Sequence, residues 1–80
     1  MVRFTKHAQE AIEKREISVE WIEAVVDSPD SVQADPRHPG LTRSYKAVGE
    51  RGGRVLRVVY RSEGDDIVVI TVHFDRGARR

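Results

Sequence analysis

The chain has 80 residues, enough for one domain spanning 1–80 with a thin core, and its 39% hydrophobic and 34% charged residues are ordinary for a compact protein. It contains no cysteine, which excludes disulfide bonds and thiolate zinc sites. No apolar run approaches the roughly 18 residues of a membrane span, so we expect a cytoplasmic protein that does not enter a membrane.

The formal net charge of +1 conceals an uneven distribution of charge along the chain. Residues 1–36 hold four Lys or Arg against eight Asp or Glu, whereas residues 37–61 hold seven against one. A basic block on one surface attracts anionic partners and speeds their encounter with the protein. The alternative is a basic face that only contacts solvent.

The first half of the sequence predicts a short strand followed by two helices. Residues 2–4 are a candidate edge strand, and Thr5 is a candidate N-cap for a helix that ends near Glu16. Ser18 is a second candidate N-cap, and "DSP" at 27–29 ends the second helix because the residue before a proline avoids the helical region. The two helices form an αα-hairpin.

The second half predicts a loop and three strands. Residues 29–41 contain three prolines and a glycine without periodicity, which indicates a long loop. Strands are predicted at 41–48, 54–61 and 67–74, and the polar end at 76–80 is expected to fray. The fold class is therefore α+β, with the two helices on one face of a three-stranded antiparallel meander and the other face open to water.

The strand "RVLRVVYR" at 54–61 places cations on one face of the sheet. If Leu56, Val58 and Tyr60 face the helices, Arg57 and Arg61 face outward. In the last strand, the expected core positions are Val68, Ile70, Val72 and Phe74, which leaves His73 on the opposite face with Thr71 and Val69. Neighbouring strands add Arg43, Lys46 or His73 beside the arginines, depending on the strand register.

A histidine beside arginines and a tyrosine suits metal-independent cleavage of a phosphodiester. Attack by a 2′-hydroxyl needs a base, an acid, and cations near the developing negative charge. The alternative is a solvated face whose arginines pair with Asp or Glu on adjacent strands.

Two residues of the first helix are secondary candidates. His7 lies at the margin of the apolar stripe, where a histidine is more often a packed or capping residue than a catalyst. Arg15 lies within that stripe, and we expect a structural salt bridge to hold it. There is no glycine-rich phosphate loop, HExxH or CxxC, and the three histidines lack metal-ligand spacing, so we expect neither cofactor nor metal.

The segment "FTKHAQEAIEKREISVEWIEAVVDSPD" resembles the opening of the domain of unknown function 4258 family, with its H-A-x-x-R-M-x-x-R-G-I-S-x-x-x-V-x-x-v-l-x-x-P-d pattern. The matching positions are His7, Ala8, Arg15, Ile17, Ser18, Ile22 and Pro29. "GRVLRVVYR" and "IVVITVHF" resemble the closing hairpin of that family. Ala11 stands where an arginine is common, and Glu16 replaces the usual glycine between the helices.

The order of elements is also similar to the RelE/ParE toxin superfamily, including BrnT-like toxins. That resemblance implies a small metal-independent ribonuclease with an acidic protein partner such as an antitoxin. It implies catalytic candidates Arg57, His73, Tyr45 and Arg61, and RNA-binding candidates Arg43, Lys46, Arg54, Arg57 and Arg61. ParE-like members bind a protein instead, so the alternative is a non-catalytic module that docks an acidic partner on the same face.

Overall fold

The computed structural model describes residues 1–75, and the basic end predicted to fray at 76–80 lies outside this range. The chain is α+β with two helices, as predicted. The elements are β1 (Val2–Phe4), α1 (Lys6–Arg15), α2 (Val19–Asp27), β2 (Ser31–Ala34), β3 (Thr42–Val48), a short 3₁₀ turn (Gly49–Arg51), β4 (Arg54–Glu63) and β5 (Asp66–Asp75). None of the helices in residues 1–75 is long and apolar enough to cross a membrane.

The sheet has five strands in the order β1-β5-β4-β3-β2. The pairings β2–β3, β3–β4 and β4–β5 are antiparallel, whereas β1 runs parallel to β5. The prediction of an unstructured loop over 29–41 was wrong for β2, which pairs Ser31 with Tyr45 and Ala34 with Thr42. All four β2 residues are exposed at the edge of the sheet, so this strand has no alternating apolar pattern to reveal it.

Both helices begin at the predicted caps. The Thr5 hydroxyl accepts a hydrogen bond from the backbone N–H of Ala8, and the Ser18 hydroxyl accepts one from Glu20. Glu16 ends α1 in the left-handed conformation, with φ of 52°. Left-handed backbone favours glycine at this position.

The main core lies between the helices and one face of the sheet. Its buried members are Ala8, Ala11, Ile17, Ile22, Val25, Val48, Leu56, Val58, Val69 and Val72. Ser44 is also buried on this side, where its hydroxyl lies 3.1 Å from the hydroxyl of Tyr60.

A β-bulge in β5 changes which side chains reach this core. Val58 pairs with Val72, but two positions further along β4, Tyr60 pairs with Val69, so Ile70 is the extra residue. The bulge moves Val69 into the core, and the prediction that Val68 and Ile70 belong to this core was therefore wrong for both residues.

The opposite face of the sheet is less open than predicted. Val55, Val59 and Val68 alternate with the core residues, and yet they are only 2%, 6% and 6% exposed. The expectation of a face open to water was therefore wrong around these valines.

Candidate functional site

The strand register aligns three of the predicted site residues across the sheet. Arg57 on β4 pairs with Tyr45 on β3 and with His73 on β5. Arg43 pairs with Val59, which places its side chain on the same face one step along the sheet. We call this surface, on the side away from the helices, the sheet face.

Arg57 and His73 are in direct contact on the sheet face. A terminal nitrogen of the Arg57 guanidinium donates a hydrogen bond to Nε2 of His73. Since a guanidinium can only donate, Nε2 is the acceptor and the neutral ring carries its proton on Nδ1. Burial and the positive charge of Arg57 lower the pKa of His73, and Arg15 and Arg43 add to this effect against Asp75.

The arginines of the sheet face have carboxylate neighbours. Arg43 Nε lies 3.2 Å from Asp35, and Arg61 lies 2.6 Å from Glu63. A terminal nitrogen of Arg57 lies 3.9 Å from Asp75, which is a longer separation. The Nε of Arg57 is buried and has no hydrogen-bond acceptor among residues 1–75. The sheet face is therefore largely charge-balanced.

The carboxylate of Asp35 illustrates how strongly one of these pairs is held. Backbone N–H groups of Arg37 and His38, together with the guanidinium of Arg43, lower its pKa to about 2. The pKa of Arg43 is raised in return, through its contacts with Tyr45 and Asp35. Arg43 is thus committed to local partners.

Two other RNA-binding candidates lie on the helix side of the sheet. Lys46 pairs with Leu56, and its ammonium donates to the carbonyl of Ser28 at 2.8 Å. Arg54 pairs with Val48 and lies over the ring of Phe74, 4.8 Å from its centroid. The structure therefore does not place Lys46 and Arg54 beside Arg57 on the sheet face.

A second basic surface lies at the end of the sheet, where α1, the 3₁₀ turn, β4 and β5 come together. It is a cleft of about 420 Å³, lined by Arg15, Arg51, Arg54, His73 and Phe74. We call it the arginine cleft. His73 belongs both to this cleft and to the sheet face, because it lines the cleft while its Nε2 contacts Arg57.

Arg51 is the most firmly held cation of the arginine cleft. It donates hydrogen bonds to the carbonyls of Arg15 and Glu16 at 3.3 and 3.2 Å, and these are carbonyls that have no partner within α1 at its C-terminal end. Its guanidinium also lies 5.6 and 5.4 Å from the ring centroids of Trp21 and Phe74. The sequence prediction missed Arg51, although it belongs to the basic block, because it lies in the "GERGG" turn rather than in a strand.

Arg15 is exposed, and the salt bridge expected for it is not formed with any carboxylate among residues 1–75. Within this range, Arg51 and Arg54 also make no ion pair. The arginine cleft thus collects cations without carboxylates, in contrast to the sheet face.

The remaining histidines lie outside both surfaces. His7 is exposed on α1, so it is not a packed residue, and His38 lies 3.4 Å from Asp35 in the loop before β3. Among residues 1–75, no three His, Cys, Asp or Glu side chains are grouped so that they could hold a metal ion.

Comparison with known proteins gives one family. No curated protein and no solved structure matches this chain. Residues 4–74 match the family described as domain of unknown function (DUF4258). This range includes both helices and nearly all of the sheet, and the chain therefore belongs to that family.

Proposed function

We propose that this protein is a small RNA-binding domain that cleaves RNA without a metal ion, with His73 as the general base. One observation carries the proposal: His73 contacts Arg57 and lines a cleft whose three arginines have no carboxylate partner among residues 1–75. Arginines without a carboxylate partner can bind phosphates, and the lowered pKa of His73 favours the unprotonated ring that a general base needs.

RNA binding follows from the charge of the arginine cleft. Arginine guanidinium groups bind phosphate oxygens through pairs of parallel hydrogen bonds. Each phosphate that they neutralise releases counterions, which supplies affinity without selecting a sequence. The proposed RNA surface thus shifts from the sheet face to the arginine cleft and the adjoining Arg57–His73 pair.

The cleavage step uses His73 and Arg57 together. In the free protein the lone pair of Nε2 accepts a hydrogen bond from Arg57, so Arg57 must turn to the scissile phosphate before Nε2 can act. Nε2 then takes the proton of the 2′-hydroxyl, the 2′-oxygen bonds to phosphorus, and the bond from phosphorus to the 5′-oxygen breaks. The departing oxygen takes a proton from water, and Arg57 stabilises the charge on the phosphate.

The architecture gives this proposal a second line of support. A strand, two helices and a set of antiparallel strands follow one another here, as in RelE/ParE-like toxins. We extend the proposal to a toxin-type domain that an acidic antitoxin-like partner inhibits by covering the arginines.

The test is incubation of the purified protein with a mixed-sequence RNA in EDTA. We expect fragments ending in 2′,3′-cyclic phosphate, and we expect His73→Gln and Arg57→Gln each to lower the rate at least ten-fold. Arg37→Gln is the matched control, because Arg37 is an exposed arginine in the loop before β3. Intact RNA, or equal loss of rate in the control, would contradict the proposed cleavage.

The second candidate is a non-catalytic module that docks an acidic protein segment. The same observation favours it, because carboxylates can fill an arginine cleft as phosphates can. Intact RNA together with tight, salt-sensitive binding of a glutamate-rich peptide would support this function over cleavage.

A further inference from the structure

We infer that the arginine cleft is a subsite for a single nucleotide, which binds the doubly charged phosphate of a nucleoside monophosphate beside His73. The choice of a nucleotide rests on the proposed action on RNA. The cleft itself is defined by the placement of Arg15, Arg51 and Arg54.

The charge of the lining matches a phosphate monoester better than a phosphodiester. Three guanidinium groups line the cleft, and no carboxylate of residues 1–75 does. A phosphodiester carries one negative charge, whereas a phosphate monoester carries about 1.5 to 2 at pH 7. A terminal phosphate therefore neutralises more of this cluster than one internal phosphate of an RNA chain.

The three arginines differ in how they are held. Arg51 is fixed by two backbone carbonyls and by contacts with the rings of Trp21 and Phe74, so it is a preorganised positive charge. Arg15 and Arg54 are exposed, and neither donates a side-chain hydrogen bond to another group of residues 1–75. We therefore assign the direct phosphate contacts to Arg15 and Arg54.

The cleft has room for more than a phosphate. Its volume of about 420 Å³ is within the range of small-molecule sites. This volume is more than ten times the roughly 30 Å³ that one water molecule occupies in liquid water. The guanidinium of Arg54 lies over the ring of Phe74, 4.8 Å from its centroid, and this exposed side chain is of a type that stacks on aromatic rings such as a base.

The experiment is calorimetric titration of the full chain with uridine 3′-monophosphate, with uridine and inorganic phosphate as separate ligands. We expect the nucleotide to bind at least ten-fold more tightly than either part. We expect Arg54→Gln and Arg15→Gln each to weaken nucleotide binding about ten-fold. Because Arg15 and Arg54 are both exposed, we expect both variants to fold, and circular dichroism checks that each of them does.

Arg37→Gln is again the control, because it removes the same charge at the opposite end of the sheet. Residue 37 lies in the loop before Thr42, which pairs with Tyr60, and Tyr60 lies six positions beyond Arg54 along β4. At about 3.3 Å per residue, this is roughly 20 Å. We expect this variant to change nucleotide affinity less than two-fold.

Three outcomes would overturn the inference. They are inorganic phosphate binding as tightly as the nucleotide, an equal loss in the Arg37 control, and preference for a glutamate-rich peptide over the nucleotide. The test is separate from that of cleavage. If the nucleotide binds and RNA stays intact, the subsite is supported and the cleavage proposal fails. If RNA is cleaved and the nucleotide does not bind, the cleavage proposal is supported and the subsite fails.

Discussion

The salt dependence of RNA binding gives a quantitative test of which arginines contact phosphate. The three cations of the arginine cleft have no carboxylate partner among residues 1–75, whereas Arg61 lies 2.6 Å from Glu63. Replacing Arg54 by glutamine removes one phosphate contact. Replacing Arg61 by glutamine removes a charge that Glu63 already compensates.

The expected magnitude follows from the release of counterions. Three phosphate contacts on a single strand, made by Arg15, Arg54 and Arg57, give a slope of about −2.1 for the logarithm of the association constant against the logarithm of salt concentration. Affinity should then fall roughly 20-fold between about 50 and 200 mM salt. With Arg54→Gln the slope should become about −1.4 and the fall roughly seven-fold.

The assay is fluorescence anisotropy of a labelled single-stranded RNA of about ten nucleotides, titrated at four or more salt concentrations in EDTA. The RNA carries 2′-O-methyl groups, so that cleavage cannot occur during the measurement. An unchanged slope in Arg54→Gln, or an equal change in Arg61→Gln, would show that the arginine cleft is not where RNA binds.

Two further predictions concern single residues. Glu16→Gly should raise the free energy of unfolding in urea by about 0.5 to 1 kcal/mol, because glycine relieves the left-handed strain at φ of 52°. Glycine also raises the conformational entropy of the unfolded chain, which offsets part of this gain. Glu16→Ala, which keeps the strain, should bring no gain. Because the pKa of His73 is lowered in the folded protein, the unfolded chain binds a proton at this ring more readily than the folded chain does. The stability due to neutral His73 is therefore present above the unfolded pKa of about 6.5. It is lost as pH falls through the folded pKa. Titration of the His73 ring by NMR should find the lowered pKa, and His73→Gln should flatten the fall in stability below pH 6.5; a ring pKa at or above 6.5 would refute this.

The helices could be predicted because their determinants are local. Thr5 and Ser18 each accept a hydrogen bond from a backbone N–H within three residues, so a cap needs only the sequence around it. The left-handed conformation that ends α1 also has a local determinant, because Glu16 occupies the position at which the family usually has glycine.

The details of the sheet could not be predicted in the same way. The bulge at Ile70 depends on contacts from a distant segment: the backbone N–H of Thr5 donates to the carbonyl of Val69, and its hydroxyl donates to the carbonyl of Ile70. Alternation along β5 holds on each side of the bulge but changes face across it. A strict period of two therefore assigned Val72 correctly and Val68 incorrectly.

The candidate site was partly predictable for a related reason. The sequence showed a basic block and placed Arg57 and Arg61 on one face, while His73 depended on the register and Tyr45 came only from the resemblance to RelE/ParE toxins; the register brings Arg57, His73 and Tyr45 into one row. Which arginines have carboxylate partners depends on the loops and strand ends that supply Asp35 and Glu63. Charge counting along the chain cannot separate paired from unpaired cations.

The double role of Arg51 decides how the arginine cleft has to be tested. Its guanidinium satisfies two carbonyls at the end of α1 and lies near the rings of Trp21 and Phe74, so it connects α1 to the sheet. Replacing Arg51 would therefore remove a positive charge from the lining of the cleft and loosen the fold that positions the other two arginines. Loss of binding in such a variant would not identify the cause, and for this reason the tests of the arginine cleft use Arg15 and Arg54.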